Sequence, residues 1–326
     1  MGEQVVVGVD GGGTSTTALV AELNGTVLSI ATGGGANPTH NRLRDAHDAV
    51  QSTIREALRD AQRDVSSVAA LTAGFAGLDS PSDRQWADAF ATLSSLSCEP
   101  VVVNDAVVAH AGALGGDPGV VAVCGTGSIA FGIDADGRQI RNYDLDHYAE
   151  AAARHLGRRL LHRLVAGEGG PADESFVATV LDRWDVESRD ELREAAIDGD
   201  LLATDESDNA LDRVASLVTD AATADVPLAE AVCDAAIREV VTGITAVAGF
   251  LDETPTRVAL EGGVLRSESM TKRVAGGLAA ADGRFEGVEP ALPPAAGAAL
   301  LGLERLDEDD PTTVGRLADE RPVTEA

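Results

Sequence analysis

The stretch Val5-Val-Val-Gly-Val-Asp-Gly-Gly-Gly-Thr-Ser-Thr-Thr-Ala-Leu-Val20 joins an apolar run to three consecutive glycines, a carboxylate and several hydroxyls. Residues 5–9 have the length and β-branching of a buried strand, and strand character resumes over residues 16–22. Glycines let backbone N–H groups approach an anion, and hydroxyls add further donors. The stretch therefore predicts a phosphate-binding hairpin, with Asp10 placed to hold Mg²⁺ through water. The alternative is an ordinary glycine-rich hairpin whose aspartate caps the turn.

The composition predicts a soluble protein that does not bind nucleic acid or anionic membranes. The chain has 326 residues, enough for two domains, and carries 54 Asp plus Glu against 25 Lys plus Arg, a net charge of −29. Lys272 is its one lysine, and aromatic residues make up 3%. This balance is typical of a halophilic, haloarchaeal-type protein in molar salt, where charge repulsion is screened, although an acidic mesophilic protein is the alternative. Nucleic acid and anionic membranes are not expected partners.

The cysteines and the apolar runs point to a reducing, cytoplasmic setting. Cys98, Cys124 and Cys233 lie far apart and form no Cys-x-x-Cys pair, so neither a zinc site nor a disulfide framework is expected. No basic and apolar leader is present at the start, and no uncharged apolar run reaches about 18 residues. The sequence therefore predicts no membrane segment and a cytoplasmic localisation.

The order of predicted elements occurs twice along the chain, which indicates an internal duplication. A three-stranded meander is followed by helix, strand, helix, strand and helix, and a second meander with a Gly-Thr-Gly-Ser turn starts at Gly119. Two hairpins, one from each half, are expected to aim at a common cleft. The predicted helices cover about 43–63, 82–93, from 105, 146–166, 173–250, 267–281 and 294–306, and the later strands 68–73, 100–103, 119–124, 129–133, 138–142, 258–260 and 283–288.

The same pattern predicts the domain boundaries. Residues 1–115 with a C-terminal helix at about 291–306 form a first domain. Residues 116–290 form a second domain with a helical insertion at about 173–250. Residues 307–326 are expected to be a mobile acidic tail.

Four motifs together resemble a known family, the N-acetylglucosamine kinase-like sugar kinases and ATPases of BadF/BadG/BcrA/BcrD type within the actin, Hsp70 and sugar-kinase superfamily. The resemblance covers about 5–135 and 256–306. It implies an α/β fold of duplicated ribonuclease H-like, actin-like ATPase domains with an interdomain ATP cleft. It also implies that the first domain carries the sugar side and the general base, and that the second is the nucleotide side. The motifs are Gly8-Val-Asp-Gly-Gly-Gly-Thr-Ser-Thr16, Val103-Asn-Asp-Ala-Val-Val-Ala109, Val123-Cys-Gly-Thr-Gly-Ser128 and Ala259-Leu-Glu-Gly-Gly-Val264.

The resemblance implies roles that phosphoryl-transfer chemistry makes sensible. Asp10 would organise Mg²⁺, Asp105 would be the general base toward a sugar hydroxyl, and ATP would lie between the glycine turns. The alternative for Asp105 is a helix N-cap, since Asn-Asp before an apolar helix is a good capping signal. The predicted ATP and phosphate contacts are Gly11, Gly12, Gly13, Thr14, Ser15, Thr16, Gly125, Thr126, Gly127, Ser128, Gly262 and Gly263, with the last two under the adenosine.

The predicted sugar contacts follow the family less closely. Asn37 precedes a proline and fits either a sugar-binding amide or a common turn. The family carries a Gly-Asp-Glu-Gly-Ser segment after the second meander, and this chain instead reads Arg141-Asn-Tyr-Asp-Leu-Asp-His-Tyr148. An acid or His147 from this segment is one candidate for the missing contact, and a solvated turn is the alternative. The predicted substrate contacts are Asn37, Gly77, Asn104, Asp105, Thr126, Asp144 and Asp146.

The leading functional hypothesis is an ATP-dependent sugar kinase that acts on N-acetylglucosamine, glucosamine or a related sugar, with ATP and Mg²⁺ as cofactors and a homodimer as the oligomer that the family suggests. A second hypothesis is an ATPase that drives a partner, as in the activators of 2-hydroxyacyl-CoA dehydratases, but those hold an iron–sulfur cluster with paired cysteines. A third is a sugar sensor without catalysis, suggested by the missing segment.

Overall fold

The computed structural model describes residues 4–198, 211–252, 254–280 and 284–319. The chain forms two compact units, the first made by Met1–Val121 together with Glu289–Ala326 and the second by Ala122–Val288. Each unit is built on a five-stranded sheet with both parallel and antiparallel pairs. Within the described residues, no helix is long and apolar enough to cross a membrane.

The strands follow the predicted positions closely. They are, in chain order, β1 (Val5–Gly11), β2 (Ser15–Glu22), β3 (Val27–Gly34), β4 (Val68–Phe75), β5 (Val101–Asn104), β6 (Gly119–Cys124), β7 (Ser128–Ile133), β8 (Gln139–Arg141), β9 (Thr256–Glu261) and β10 (Phe285–Val288).

The helices lie between and after these strands. They are α1 (Leu43–Asp60), α2 (Arg84–Ala91), α3 (Asp105–Leu114), α4 (Ala153–Val165), α5 (Glu174–Arg183), α6 (Arg189–Asp198), α7 (Ala215–Thr223), α8 (Pro227–Ala248), α9 (Glu268–Ala279), α10 (Pro294–Arg305) and α11 (Thr313–Ala318).

The two sheets have the same topology, which confirms the predicted duplication. The first has the strand order β3-β2-β1-β4-β5, and the second has the corresponding order β8-β7-β6-β9-β10. In the first sheet, β1, β2 and β3 form an antiparallel meander, and β4 and β5 then add in parallel to β1. In the second, β7 and β8 pair antiparallel, and β9 and β10 pair parallel.

Strand β1 is apolar from Val5 to Val9 because both of its faces are covered there. Val5, Val7 and Val9 pack into a core that includes residues of α1 and α2. Val6 points to the opposite face and packs into a second core that includes residues of α10. Side chains of a strand alternate between its two faces, so burial on both sides requires a continuous apolar run.

Helix α10 approaches its neighbours at glycines. A Cβ added at Gly8 of β1 would lie 2.1 Å from the Ala295 carbonyl oxygen. A Cβ added at Gly297 would lie 2.3 Å from the backbone nitrogen of Gly112 and 2.3 Å from the Val108 carbonyl oxygen in α3. Both distances are far below van der Waals contact, so the backbones of α10, β1 and α3 pack together only because these side chains are absent.

One predicted helix starts later than expected. The sequence predicts helix over 146–166, but α4 begins at Ala153. A 3₁₀ turn covers Asn142–Leu145 and ends in a left-handed residue, Asp146, with φ 58°. Ala149 also has a positive φ, of 43°. Two left-handed residues cannot continue a right-handed helix, so the prediction is wrong for residues 146–152.

The expected mobile tail is partly ordered. Helix α11 packs against the second core of the first unit through Leu317, which is fully buried, and Thr313 is also buried. The prediction of mobility is therefore wrong for this helix, because it has an apolar side to bury. Residues 320–326 of the predicted tail lie outside the described residues, as do 199–210 of the predicted helical insertion and the ends of two predicted elements at 281–283.

Replacement of Gly297 by alanine tests the packing of α10. We expect Gly297→Ala to lower the free energy of unfolding by about 1–3 kcal/mol, because the new methyl group collides with the α3 backbone. Gly276→Ala is the matched control, since Gly276 is also inside a helix but has no atom within 4 Å of an added Cβ. The control should be neutral or more stable by up to about 1 kcal/mol. Equal stability of the two variants in denaturant titrations would show that α10 and α3 are not in this contact.

Candidate active site

Three parallel strands end side by side at one edge of the first sheet. Gly11 at the end of β1 pairs with Phe75 at the end of β4, and Phe75 pairs with Asn104 at the end of β5. Residues that follow the carboxyl ends of parallel strands share this edge. The predicted base Asp105 follows β5, and Asp10 is the penultimate residue of β1. The topology therefore places both predicted carboxylates at one edge.

The turn between β1 and β2 is tight and supported from behind. The Gly12 N–H donates to the Ser15 carbonyl oxygen over 2.8 Å, and the Ala36 N–H donates to the Gly12 carbonyl oxygen over 2.9 Å. The side-chain amide of Asn41 donates to the Gly13 carbonyl oxygen over 2.9 Å. These bonds use carbonyl groups of the turn and fix its shape.

The hydroxyls of this turn differ in their availability. Thr14 and Ser15 are exposed, as a phosphate contact requires. Thr16 is fully buried, and its hydroxyl donates to the Gly34 carbonyl oxygen over 2.7 Å. The structure does not support the predicted phosphate role of Thr16, because its hydroxyl proton is already used to join β2 to the end of β3.

Asn37 and Gly77 lie against each other beside this turn. An added Cβ at Gly77, where φ is +85°, would be 2.6 Å from the Asn37 Oδ1 atom. That oxygen accepts hydrogen bonds from the backbone N–H and the hydroxyl of Thr39, at 2.9 and 2.8 Å. The turn interpretation of Asn37 is therefore confirmed for its oxygen. The Nδ2 group is the part of the side chain that can serve a ligand.

Asn104 caps helix α3 and so frees Asp105 from that role. Its Oδ1 atom accepts a hydrogen bond from the Ala106 N–H over 3.0 Å, and Asp105 is the first residue of the helix. The alternative interpretation of Asp105 as the N-cap is thus wrong. Burial, followed by the nearby negative charge of Asp79, raises the pKa of the Asp105 carboxyl to about 6. A carboxyl with such a pKa holds a proton more tightly than a solvated one, which suits a general base near neutral pH.

Asp79 belongs to this group although the sequence analysis did not select it. The Asn104 Nδ2 group donates to Asp79 Oδ1 and to the Leu78 carbonyl oxygen, each over 3.2 Å. The signal was present in the sequence, because Asp79 follows the end of β4, a strand parallel to those that lead to Asp10 and Asp105.

In the second unit, the turn between β6 and β7 presents an open glycine loop. The Gly125 N–H donates to the Gly127 carbonyl oxygen over 2.9 Å, and nothing lies within 4 Å of a Cβ added at either residue. Thr126 is partly exposed, whereas Ser128 is buried and its carbonyl oxygen accepts from the Tyr143 hydroxyl. The N–H of Ala153 donates to the Gly125 carbonyl oxygen over 2.9 Å, so α4 starts beside this loop.

Two side chains near these turns were not predicted as site residues. Arg154, in the first turn of α4, has a buried Nε atom without a hydrogen-bond partner among the described residues. Glu261, at the end of β9, is 4% exposed; its Oε2 atom meets Arg266 at 2.5 Å, and its Oε1 atom has no partner in the described part of the chain. Arginine pairs well with phosphate oxygens, so Arg154 is a candidate phosphate contact.

Gly262 and Gly263 are glycines for different reasons. Gly262 has φ +87°, and an added Cβ would lie 2.3 Å from the Cys124 carbonyl oxygen, so the protein's own packing requires it. Gly263 has nothing within 4 Å of an added Cβ. The absence of a side chain at Gly262 is therefore explained by the contact between β9 and β6, whereas the predicted close approach of adenosine stays a prediction for Gly263.

Asp144 and Asp146 are engaged within their own turn. The Arg141 guanidinium lies 2.9 Å from Asp144 Oδ1, and its hydrogen bond holds the pKa of Asp144 below its usual value. Asp146 accepts a weak 3.4 Å bond from the Tyr148 hydroxyl, and the His147 ring lies 3.4 Å from Glu239. These contacts match the alternative of a capped, solvated turn and give no support to the predicted sugar contacts.

Asp10 is the one predicted metal-facing residue. Across residues 4–198, 211–252, 254–280 and 284–319, no group of three or more His, Cys, Asp or Glu could hold a metal ion. Mg²⁺ in phosphoryl-transfer sites commonly keeps one or two carboxylates together with waters and phosphate oxygens. A single aspartate at the strand edge therefore fits a Mg²⁺ that binds with a nucleotide, and does not fit a metal held by protein alone.

Comparison with known proteins identifies the family. Residues 7–302 match the BadF/BadG/BcrA/BcrD ATPase family over most of the chain. The chain belongs to this ATPase family. An N-acetylmuramic acid/N-acetylglucosamine kinase of Clostridium acetobutylicum is 29% identical over 142 residues, 44% of this chain and 46% of that protein. An N-acetyl-D-glucosamine kinase of Dictyostelium discoideum is 29% identical over 150 residues, 42% of this chain and 46% of that protein. The match thus spans less than half the length of these relatives.

Solved structures agree with the fold of this BadF/BadG/BcrA/BcrD ATPase. A protein of Chromobacterium violaceum, provisionally described as an N-acetylglucosamine kinase, is 28% identical, covers 92% of this chain and 99% of its own, and superposes with a TM-score of 0.71. A ROK family glucokinase of Streptomyces griseus, solved with glucose and AMPPNP, is 20% identical over 93% of this chain and 98% of its own, with a TM-score of 0.60. The predicted class of duplicated, actin-like ATPase domains is confirmed.

The contrast between Gly262 and Gly263 can be tested directly. We expect Gly263→Ala to unfold within about 0.5 kcal/mol of the parent, since there is room for the methyl group. It should nevertheless bind a non-hydrolysable ATP analogue about ten-fold more weakly, a loss of about 1.4 kcal/mol. Gly262→Ala is the comparison variant and should be destabilised by about 1 kcal/mol or more through its backbone conformation and clash. Unchanged analogue affinity of Gly263→Ala in calorimetry would remove this residue from the nucleotide site.

Proposed function

We propose that this protein is an ATP-dependent sugar kinase that transfers the γ-phosphoryl group to a hydroxyl of an amino sugar, with N-acetylglucosamine or glucosamine as the first candidates. The observation that carries the proposal is the raised pKa of the Asp105 carboxyl, about 6, at the start of helix α3. Asn104, and not Asp105, caps this helix, so the Asp105 carboxyl is not used for capping. The names of the Clostridium and Dictyostelium relatives support the same reaction and sugar class.

In the proposed reaction, Asp105 accepts the proton of the sugar hydroxyl. The hydroxyl oxygen forms the new bond to the γ-phosphorus, and the bond from that phosphorus to the β–γ bridging oxygen breaks with its electron pair leaving on ADP. Phosphoryl transfer depends mainly on positioning and charge neutralisation, so the protein's part is to hold the reactants and remove one proton. The base must be deprotonated, so the reaction should be fast above pH 6 and slow below it.

The phosphate and nucleotide contacts are proposed from the exposed parts of the turns. In the first unit the proposed donors are the Gly13 backbone and the hydroxyls of Thr14 and Ser15. Gly11 and Gly12 shape the turn instead, since Gly11 is buried and the Gly12 N–H already donates to the Ser15 carbonyl oxygen. The second unit offers Thr126 and Gly127 of the glycine loop and the open position at Gly263. The Gly125 N–H already donates to the Gly127 carbonyl oxygen and Ser128 is buried, so their predicted phosphate contacts are not retained. These groups are of the kind that hold phosphate oxygens through N–H and hydroxyl donors.

Mg²⁺ is proposed as the metal that accompanies ATP, with Asp10 as its protein contact through water. A divalent cation supplies neutralisation of charge that develops on the transferring phosphoryl group. The carboxylate of Asp10 would orient the hydrated ion at the strand edge.

The sugar contacts are proposed in the first unit, around the base. The Nδ2 group of Asn37, the backbone at Gly77, and Asn104 and Asp105 lie at the carboxyl ends of the strands of the first sheet. Asp144 and Asp146 are not retained as sugar contacts, because Asp144 is paired with Arg141 and both belong to a turn that is satisfied within itself.

Two other functions remain as alternatives of different classes. A partner-driving ATPase with an iron–sulfur cluster needs reactive paired thiols, but burial raises the pKa of both Cys124 and Cys233 to about 12, which keeps these thiols protonated. A sugar sensor without catalysis has no use for a general base. We further infer, from composition, a cytoplasmic enzyme that works at high salt; a homodimer is an additional proposal that rests on the family resemblance.

The kinase assignment is tested by ADP release in molar KCl with a panel of sugars. We expect release that depends on an amino sugar, with kcat/KM rising as pH increases through about 6, because Asp105 must lose its proton. Asp105→Asn should lower kcat by about 10²- to 10⁴-fold and leave the KM for ATP nearly unchanged. Asp88→Asn, which removes an exposed charge of α2 paired with Arg84, is the matched control and should behave as the parent.

The other possible outcomes of the ADP-release assay distinguish the three hypotheses. Sugar-dependent release that survives Asp105→Asn would contradict the general-base role. Release without any sugar would favour the partner-driving ATPase. Sugar binding without release would favour the sensor.

A further inference from the structure

Asp79 and Asn104 connect two loops beside the proposed base. Asn104 lies between β5 and α3; its Oδ1 atom accepts the Ala106 N–H, and its Nδ2 group donates to Asp79 Oδ1 and to the Leu78 carbonyl oxygen. One amide side chain therefore ties the first turn of α3 to the loop after β4. This loop is shaped in turn by Asp83, whose Oδ2 atom accepts the Asp79 N–H over 3.2 Å.

We propose that Asp79 is a positioning residue for Asp105: it anchors Asn104, which fixes the first turn of α3, and it supplies a negative charge that faces the base. The inference rests on the proposed kinase function, in which Asp105 removes the proton of the sugar hydroxyl. It adds a residue that touches neither reacting atom and acts through its neighbours.

The anchoring part of the proposal follows from the capping geometry. The backbone of Asp105 follows Asn104 directly, so the placement of the Asn104 side chain determines where the helix and its first carboxylate begin. An N-cap bond of this kind stabilises the start of the helix. The Asp79 carboxylate adds a charge-assisted acceptor on the other side of the same amide, which holds the amide in the capping orientation.

The charge part of the proposal follows from the surroundings of Asp105. The negative charge of Asp79 is the second cause, after burial, of the raised pKa of Asp105, whereas the backbone N–H groups of Ala106 and Asp105 oppose it. The other charged residues on the elements packed around α3 and β5 are Asp10 on β1, Asp83 in the same loop as Asp79, Arg84 and Asp88 on α2, and Glu304 and Arg305 in the last turn of α10. His110 on α3 is also titratable, but burial lowers its pKa to about 4, so it is neutral where Asp105 titrates. β5 carries no charged side chain.

Two substitutions separate the anchoring part from the charge part. Asp79→Asn removes the charge but keeps an oxygen that can accept from Asn104 Nδ2. Asp79→Ala removes both the charge and the acceptor. Asp88→Asn removes one negative charge elsewhere in the same unit and serves as the control.

The first measurement needs no catalytic activity. The protein is labelled with ¹³C at the aspartate carboxyl groups, the Asp105 resonance is identified by its loss in Asp105→Asn, and its titration is followed by NMR without nucleotide or metal. In Asp79→Asn the pKa of Asp105 should fall below about 6 but stay above 3.8, because burial still acts. Asp88→Asn should titrate as the parent. An unchanged Asp105 titration in Asp79→Asn would overturn the charge part of the proposal.

The second measurement uses sugar-dependent ADP release. In Asp79→Asn, the acidic limb of kcat/KM should move to lower pH, with kcat above that limb reduced roughly two- to five-fold because the base is weaker. In Asp79→Ala, the limb should move similarly, and kcat should fall about ten-fold or more because the base is also misplaced. Equal kcat in the two variants, at equal thermal stability, would overturn the anchoring part. If the parent releases no ADP, the kinase function fails, while the NMR titration still decides the coupling of Asp79 to Asp105.

Discussion

The parallel hydrogen-bonded ladder of β1, β4 and β5 is the constraint on which the candidate site depends. Its register sets Gly11 beside Phe75 and Phe75 beside Asn104, so three strands end at the same level. A shift of one residue in this pairing would turn the valines of β1 onto the wrong faces of the sheet, since side chains alternate with a period of two. The burial of both faces of β1 thus enforces the register, and the register brings the polar loop residues together.

The same packing raises the pKa of the Asp105 carboxyl. A capping aspartate would be stabilised as an anion by backbone N–H groups and would be a weak base. Here the cap is the neutral amide of Asn104, and the aspartate one residue later meets buried surroundings and a second carboxylate. Desolvation and like charge both disfavour the anion, so the proton is held more strongly. Because Asn104 caps the helix and Asp105 follows it by one residue, the Asp105 carboxyl is not used for capping and suits the proposed proton transfer.

Much of the fold could be predicted from the sequence because its signals are local. The β-branched runs, the glycine turns and the repeated order of elements located both meanders and the duplication. The start of α4 was missed because Asp146 and Ala149 adopt left-handed conformations that no local preference of alanine indicates. In the candidate site, Asp105 was predicted as the base from its motif. The role of Asn104 as the cap, the neighbouring charge of Asp79 and the buried hydroxyl of Thr16 depend on contacts between distant segments, which the sequence does not encode locally.

The glycines fall into two groups: those that the packing of the protein requires and those that it does not. At Gly8, Gly262 and Gly297, an added methyl group would lie only 2.1–2.3 Å from backbone atoms, so the fold itself accounts for these glycines. Gly125, Gly127 and Gly263 have no neighbour within 4 Å of an added Cβ and no positive φ, so neither packing nor backbone conformation accounts for them. A glycine is entropically unfavourable in the folded chain. An open position alone does not imply a ligand, because Gly276 within α9 is equally open. The three turn glycines differ from Gly276 in that they lie at strand ends, where the proposed close approach of a phosphate or nucleoside to the backbone would account for them.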